Sequence, residues 1–176
     1  MFNTITIPAS ALKPGFSVYI IEVQYEGASS YYVGMTGDGH YVSARSSFAR
    51  LAGHFDTSAA STQSQLRHAL KKYYPRPLPD SVKIVKHHAA IPGFEPIEGT
   101  SNKKSDTNYF RNDKYRAEVE KYEKRRREVF ALESYLIGLF QQAPHRCFNR
   151  TSGSQSKPDT AEFDELIEWV RTQFAV

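Results

Sequence analysis

Apolar positions along this chain fall first into short runs and then into helical stripes. Residues 18–24 and 31–35 are rich in Val, Ile and Tyr, carry Tyr19 and Tyr32, and flank a polar break over residues 26–30. They predict two antiparallel strands joined by a glycine-containing loop. Residues 43–55 place Phe48, Leu51, Ala52 and Phe55 three and four apart, which predicts an amphipathic helix. A second helix is predicted over residues 63–74, with Leu66, Ala69, Leu70 and Tyr73 on one stripe. Pro75, Pro77 and Pro79 then lock φ and remove donors, so the chain must run extended. Residues 82–88 predict a third strand, with Val82 and Ile84 inward and Lys83 and Lys86 outward.

An irregular stretch follows over residues 90–108. Residues 113–142 predict one long helix, basic at first and apolar later, which Pro144 stops. After a polar linker, residues 159–174 predict a last helix with Phe163, Leu166, Ile167, Val170 and Phe174 on one stripe. The order β-β-α-α-β-α plus a tail helix predicts an α/β (α+β) domain, a small antiparallel-based three-stranded sheet flanked by helices. All 176 residues fit one domain, with a core over about 16–151, a basic insertion over about 90–128 and a C-terminal helix over about 159–175.

Charge adds a second layer. The chain carries a net +4, and residues 99–130 hold ten basic side chains against six acids. The segment includes Lys103, Lys104, Arg111, Lys114, Arg125, Arg126 and Arg127, interleaved with Tyr109, Phe110, Tyr115 and Tyr122. Two readings stand. One is a phosphate-backbone contact surface. The other is a solvated helix laced with ion pairs three and four apart. No run of apolar residues is long enough to span a bilayer, so no membrane partner is expected. The first sixteen residues show no basic start and no apolar stretch, and a single cysteine, Cys147, excludes an internal disulfide. These features predict a cytoplasmic protein. His40, His87 and His88 lack metal-ligand spacing, so no zinc site is expected.

The strand order, together with "VYI" and "YVG" in the hairpin, "RLAGH" on the first helix, Glu133 in "FALESYL" and Asn149 in "CFNRT", resembles the GIY-YIG nuclease family. The resemblance covers residues 16–151. Ser17 stands where the family name has its first glycine, and Val33 where it has isoleucine. It implies a metal-dependent endonuclease acting on DNA, with Tyr19, Tyr32, Arg50, His54, Glu133 and Asn149 as catalytic residues. Glu133 would hold one Mg²⁺ or Mn²⁺. A stand-alone restriction-type enzyme fits a chain with no separate DNA-binding domain. A binding module that has lost cleavage, a toxin nuclease and a homodimer are further readings.

The residue types suit phosphodiester chemistry. A lone carboxylate holds a hard cation whose other positions are water. Arg50 offers a planar fork to a phosphate. Tyrosine carries a polar tip on a stiff apolar body. Arg45 competes for the arginine role, but Arg50 and His54 lie four apart and share one helix face. Both tyrosine hydroxyls are expected to point at the scissile phosphate, with Gly34 leaving room for its approach.

Overall fold

The computed structural model describes residues 6–37, 44–55, 65–93 and 113–176, with the side chains of 113–115 left out. Its element order is α1 (Ala9–Leu12), β1 (Ser17–Tyr25), β2 (Ala28–Thr36), α2 (Ser47–Phe55), α3 (Gln65–Tyr73), β3 (Lys83–Ala90), α4 (Asp113–Gln142), β4 (Arg146–Cys147) and α5 (Asp164–Phe174). A 3₁₀ turn, Ala161–Phe163, leads into α5. The expected strands and helices are all present, and the sheet gains a short fourth strand.

The hairpin is tighter than its polar break suggests. Tyr25 pairs with Ala28, so only Glu26 and Gly27 form the turn. Both have positive φ, 51° and 77°, the geometry of a two-residue hairpin that follows the twist of its strands. Strand order is β3-β1-β2-β4. β1 pairs antiparallel with both β2 and β3, whereas β4 runs parallel to β2 through Ser30↔Arg146 and Tyr31↔Cys147. A two-residue strand leaves no periodic trace in a sequence, which is why it is missing from the sequence reading.

Both faces of the hairpin are buried, so apolar residues occupy both sides of its strands. One face, with Val18, Ile20, Tyr31, Val33 and Met35, packs on α4 and α5 through residues such as Leu132, Leu136, Phe140 and Ile167. The other, with Tyr19, Ile21, Val23 and Tyr32, packs on α2 and α3 through Leu66, Ala69 and Leu70. The helix of residues 113–142 has the bounds its pattern predicts. Its Tyr122, expected to stud a basic surface, is instead fully buried against Phe16, ring centroids 5.1 Å apart. The apolar stripe of α5 is part of the core.

β3 departs from its expected facing. Ile84 and Val85 are exposed, and Lys86 turns inward. Strand parity explains the facing of Lys86: Lys83 and Lys86 are three apart and cannot point to one side, whereas Lys86 shares the face of Val82. No described helix is long and apolar enough to cross a membrane.

Candidate active site

The hairpin register brings the two tyrosines together. Tyr19 lies opposite Gly34 and Ile21 opposite Tyr32, so Tyr19 and Tyr32 share the face that meets α2. Gly34 makes room, but for a different group than expected. A Cβ there would overlap the Tyr19 ring itself. The glycine lets the ring lie across β2 rather than letting a phosphate reach the backbone.

α2 lays Arg50 and His54 over this face, one turn apart. The His54 ring sits edge-on to both tyrosines, with centroids 5.8 Å from Tyr19 and 4.9 Å from Tyr32. Its Nε2 is 2.8 Å from the Tyr19 hydroxyl. Burial, then the charges of Arg50 and Lys86, hold His54 down to a pKa of about 4, so the imidazole is neutral at pH 7. Burial also raises both tyrosines, Tyr32 to about 12 and Tyr19 further. Each therefore keeps its proton at neutral pH. Burial disfavours charge on Arg50, yet the acidic groups around it, Tyr19, Tyr32 and Glu133, raise its pKa above the ordinary arginine value, so the guanidinium stays charged. The Arg50 Nε is buried with no hydrogen-bond partner among the described residues. Arg45, its rival, precedes the helix and is exposed.

The remaining groups arrive along the open edge of β2. In a strand, alternate residues present their backbone to the same edge. At Tyr31 that edge is taken by β4, whose continuation at Phe148 donates its N–H to the Tyr31 carbonyl at 2.7 Å. Val33 is bracketed by the Asn149 side chain: Oδ1 accepts from the Val33 N–H at 2.9 Å and Nδ2 donates to its carbonyl at 2.8 Å. Met35 donates a backbone hydrogen bond to Glu133 from α4. Asn149 thus acts as a peptide mimic that ends the β4 pairing and places residues 149–152 at the site. Both polar ends of its amide are occupied by Val33, so its role here is positioning. Burial raises the Glu133 carboxyl to about 7, against the opposing pull of Arg50, the Met35 hydrogen bond and Arg126.

Tyr32, Arg50, Glu133 and Asn149 line one polar cavity of about 410 Å³, together with His68 and Arg150. Tyr19 and His54 stand behind it. Tyr19 is only 1% exposed and its hydroxyl is engaged by His54, so of the two tyrosines expected to face a phosphate only Tyr32 lines the cavity.

Sequence reasoning missed Lys86. It sits across β1 from Ile21, its Nζ lies 4.3 Å from the Tyr19 ring centroid, and it donates to the Ser47 carbonyl at the start of α2. It ties β3 to the helix that carries Arg50 and His54. Burial first, then Arg50, lowers its pKa to about 8. Replacing Lys86 with Met removes a cation that disfavours imidazolium, so the His54 pKa rises. An NMR titration of the His54 ring checks this. A pKa that stays put or falls would mean that Lys86 does not act on the Tyr19–His54 pair.

The basic residues divide. Lys103, Lys104 and Arg111 lie outside the described residues, as does the Lys114 side chain. Arg125 is an internal clamp: its Nε and Nη2 donate to the Pro92 carbonyl at 2.9 and 2.7 Å, and it pairs with Glu128 and Glu162. Its donors serve the fold. Arg126 is half-buried on the Glu133 side of α4, with its Nε unpartnered among the described residues, and Arg127 is exposed. No protein-family model, curated protein or solved structure matches the chain.

Proposed function

We propose that the protein is a metal-dependent endonuclease that hydrolyses phosphodiester bonds in DNA at the cavity under β2. The carrying observation is the meeting, in one polar cavity, of an arginine from α2, a tyrosine from β2 and a carboxylate from α4. The reading agrees with the resemblance to GIY-YIG nucleases.

The donor set suits a hard cation. Glu133 is a single carboxylate beside oxygen and nitrogen groups, and no cluster of three His, Cys, Asp or Glu occurs among the described residues. One carboxylate with room for several waters is a magnesium-type arrangement rather than a zinc-type one. A Mg²⁺ or Mn²⁺ ion held there would supply Lewis-acid stabilisation of charge on the phosphate. Arg50 lines the cavity, and its guanidinium binds and orients the phosphate. The Tyr32 hydroxyl orients the attacking water. The neutral His54 imidazole stands behind the cavity and holds the Tyr19 hydroxyl through its Nε2, so its role is positioning.

Adjacent tyrosines on opposite faces give the test. Tyr31 packs on the far side of the sheet, 4.9 Å from the Phe140 ring. Tyr32→Phe lowers the single-turnover cleavage rate by roughly 10²-fold or more, the scale of a positioned proton-handling group. Tyr31→Phe leaves the rate unchanged. Equal rates for the two variants would remove the tyrosine from the mechanism.

The competing reading is a nucleic-acid-binding module without hydrolysis. It draws on the Tyr19 hydroxyl being buried and engaged by His54, as in a structural polar pair.

A further inference from the structure

Positive charge is distributed unevenly between the two flanks of the cavity. On α4 and α5 much of it is matched: Lys121 pairs with Glu118, Arg125 with Glu128 and Glu162, and Arg171 with Glu168. The opposite flank is built from α3 and the segment through β4. Residues 65–79 and 143–158 contain no Asp or Glu, yet they include Arg67, Lys71, Lys72, Arg76, Arg146 and Arg150, along with Lys157, which pairs with Asp164 of α5. Lys72, Arg146 and Arg150 have no carboxylate partner among the described residues.

These cations are organised around Tyr73, which is 44% exposed. The Arg146 guanidinium lies 4.5 Å from its ring centroid and the Lys72 ammonium 4.9 Å. Phe148 is stacked on it, 6.0 Å away and 16° from parallel. The Tyr73 hydroxyl sits below its ordinary pKa, because of Lys72 first, with Arg146 and Arg150 adding to the effect. Arg150 also lines the cavity, beside Gln65 and His68 of α3. The cluster is therefore continuous with the candidate active site.

We infer that duplex DNA reaches the cavity across the α3–β4 flank, with Lys72, Arg146 and Arg150 contacting its phosphates. The inference rests on the nuclease reading of the cavity and names the path of its substrate. Backbone contact is favoured over base stacking because the Tyr73 ring already has Phe148 stacked on it and two cations beside it. A guanidinium held against an aromatic ring keeps its in-plane N–H donors for phosphate oxygens. Tyr73 thus serves to preorganise Arg146.

The test is duplex binding by the full chain in EDTA, measured as log K against log salt. Wild type is compared with Lys72→Gln/Arg146→Gln/Arg150→Gln and with a second pair on exposed α4 positions, Lys124→Gln/Arg127→Gln. Each lost phosphate contact lowers the slope by roughly 0.9. The triple variant is expected to lose about 2 to 3 from the slope, and the α4 pair almost nothing. Arg150→Gln alone, at an exposed position, is expected to lose about one. An unchanged slope in the triple variant overturns the inference, and so does a loss confined to the α4 pair. Preference for single strands over duplex also overturns it, as does a wild type that binds no DNA. If wild type binds with the expected slopes but does not cleave when Mg²⁺ is added, the hydrolytic reading fails and the docking surface stands.

Discussion

Glu133→Gln abolishes Mg²⁺-dependent cleavage while leaving duplex binding within a few fold. Glutamine has the shape of glutamate, and its carbonyl can still accept the backbone hydrogen bond from Met35. The seam between α4 and the edge of β2 therefore survives. The substitution removes the one carboxylate that lines the cavity among the described residues. A neutral amide oxygen is a far weaker ligand for a hard cation. Binding is retained because losing a negative charge beside a phosphate relieves repulsion.

Stability separates this effect from misfolding. Burial lifts the Glu133 pKa above its unfolded value, to about 7. The folded protein therefore holds this proton more tightly than the unfolded chain, and stability from this group is lost as pH rises from the unfolded value through about 7. Glutamine never ionises and escapes the loss. The variant should melt no lower than wild type at pH 8. Wild-type cleavage by Glu133→Gln would show that the metal assignment is wrong.

The second large effect is on stability. Gly138→Ala destabilises the protein even though alanine favours a helix interior over glycine by about 1 kcal/mol. Gly138 faces the segment that follows Asn149, and an added Cβ would overlap the Ser154 carbonyl oxygen. The contact is backbone against backbone. The Ser154 N–H donates to the Ser134 carbonyl at 2.9 Å, and the Gly153 N–H to Gln141 Oε1 at 2.9 Å. No flexible side chain is available to swing aside. Overpacking costs typically 1–3 kcal/mol, and a rigid backbone-on-backbone overlap belongs at the upper end, which exceeds the propensity gain. A net loss of about 2 kcal/mol lowers Tm by roughly 4–8 °C in a chain of this size. Residues 149–152 line the cavity beside Ser134, so cleavage should fall as well. An unchanged or higher Tm would mean that the seam between α4 and residues 153–154 yields easily.

Much of this arrangement is legible in the sequence because it follows from short-range periodicity. Alternation through β1 and β2 carries enough information to put Tyr19 and Tyr32 on one face once the hairpin register is set. The i,i+4 spacing of Arg50 and His54 does the same on a helix. The length of α4 follows from its pattern and from Pro144. What escapes is long-range or too short to show a period. β4 has two residues, and Asn149 matters through a bond to Val33, 116 positions away. Arg125 looks like one more cation in a basic run. Its partners, the Pro92 carbonyl and Glu162, lie more than thirty residues off on either side. Tyr122 reads as a surface aromatic because its neighbours in sequence are charged, although its neighbour in space is Phe16. Lys86 is the exception. Its facing was available from parity alone, since it shares the side of Val82 rather than that of Lys83.

The central claim is that the cavity bounded by Tyr32, Arg50 and Glu133 hydrolyses phosphodiester bonds. Its most direct test is supercoiled plasmid incubated with the purified full chain in excess, with Mg²⁺ or with EDTA, and read on a gel. The account predicts conversion to nicked and linear forms with Mg²⁺, none with EDTA, and none from Glu133→Gln purified in parallel. Plasmid that stays supercoiled with Mg²⁺ and with Mn²⁺, while the protein binds it, would contradict the account and leave a binding module in its place.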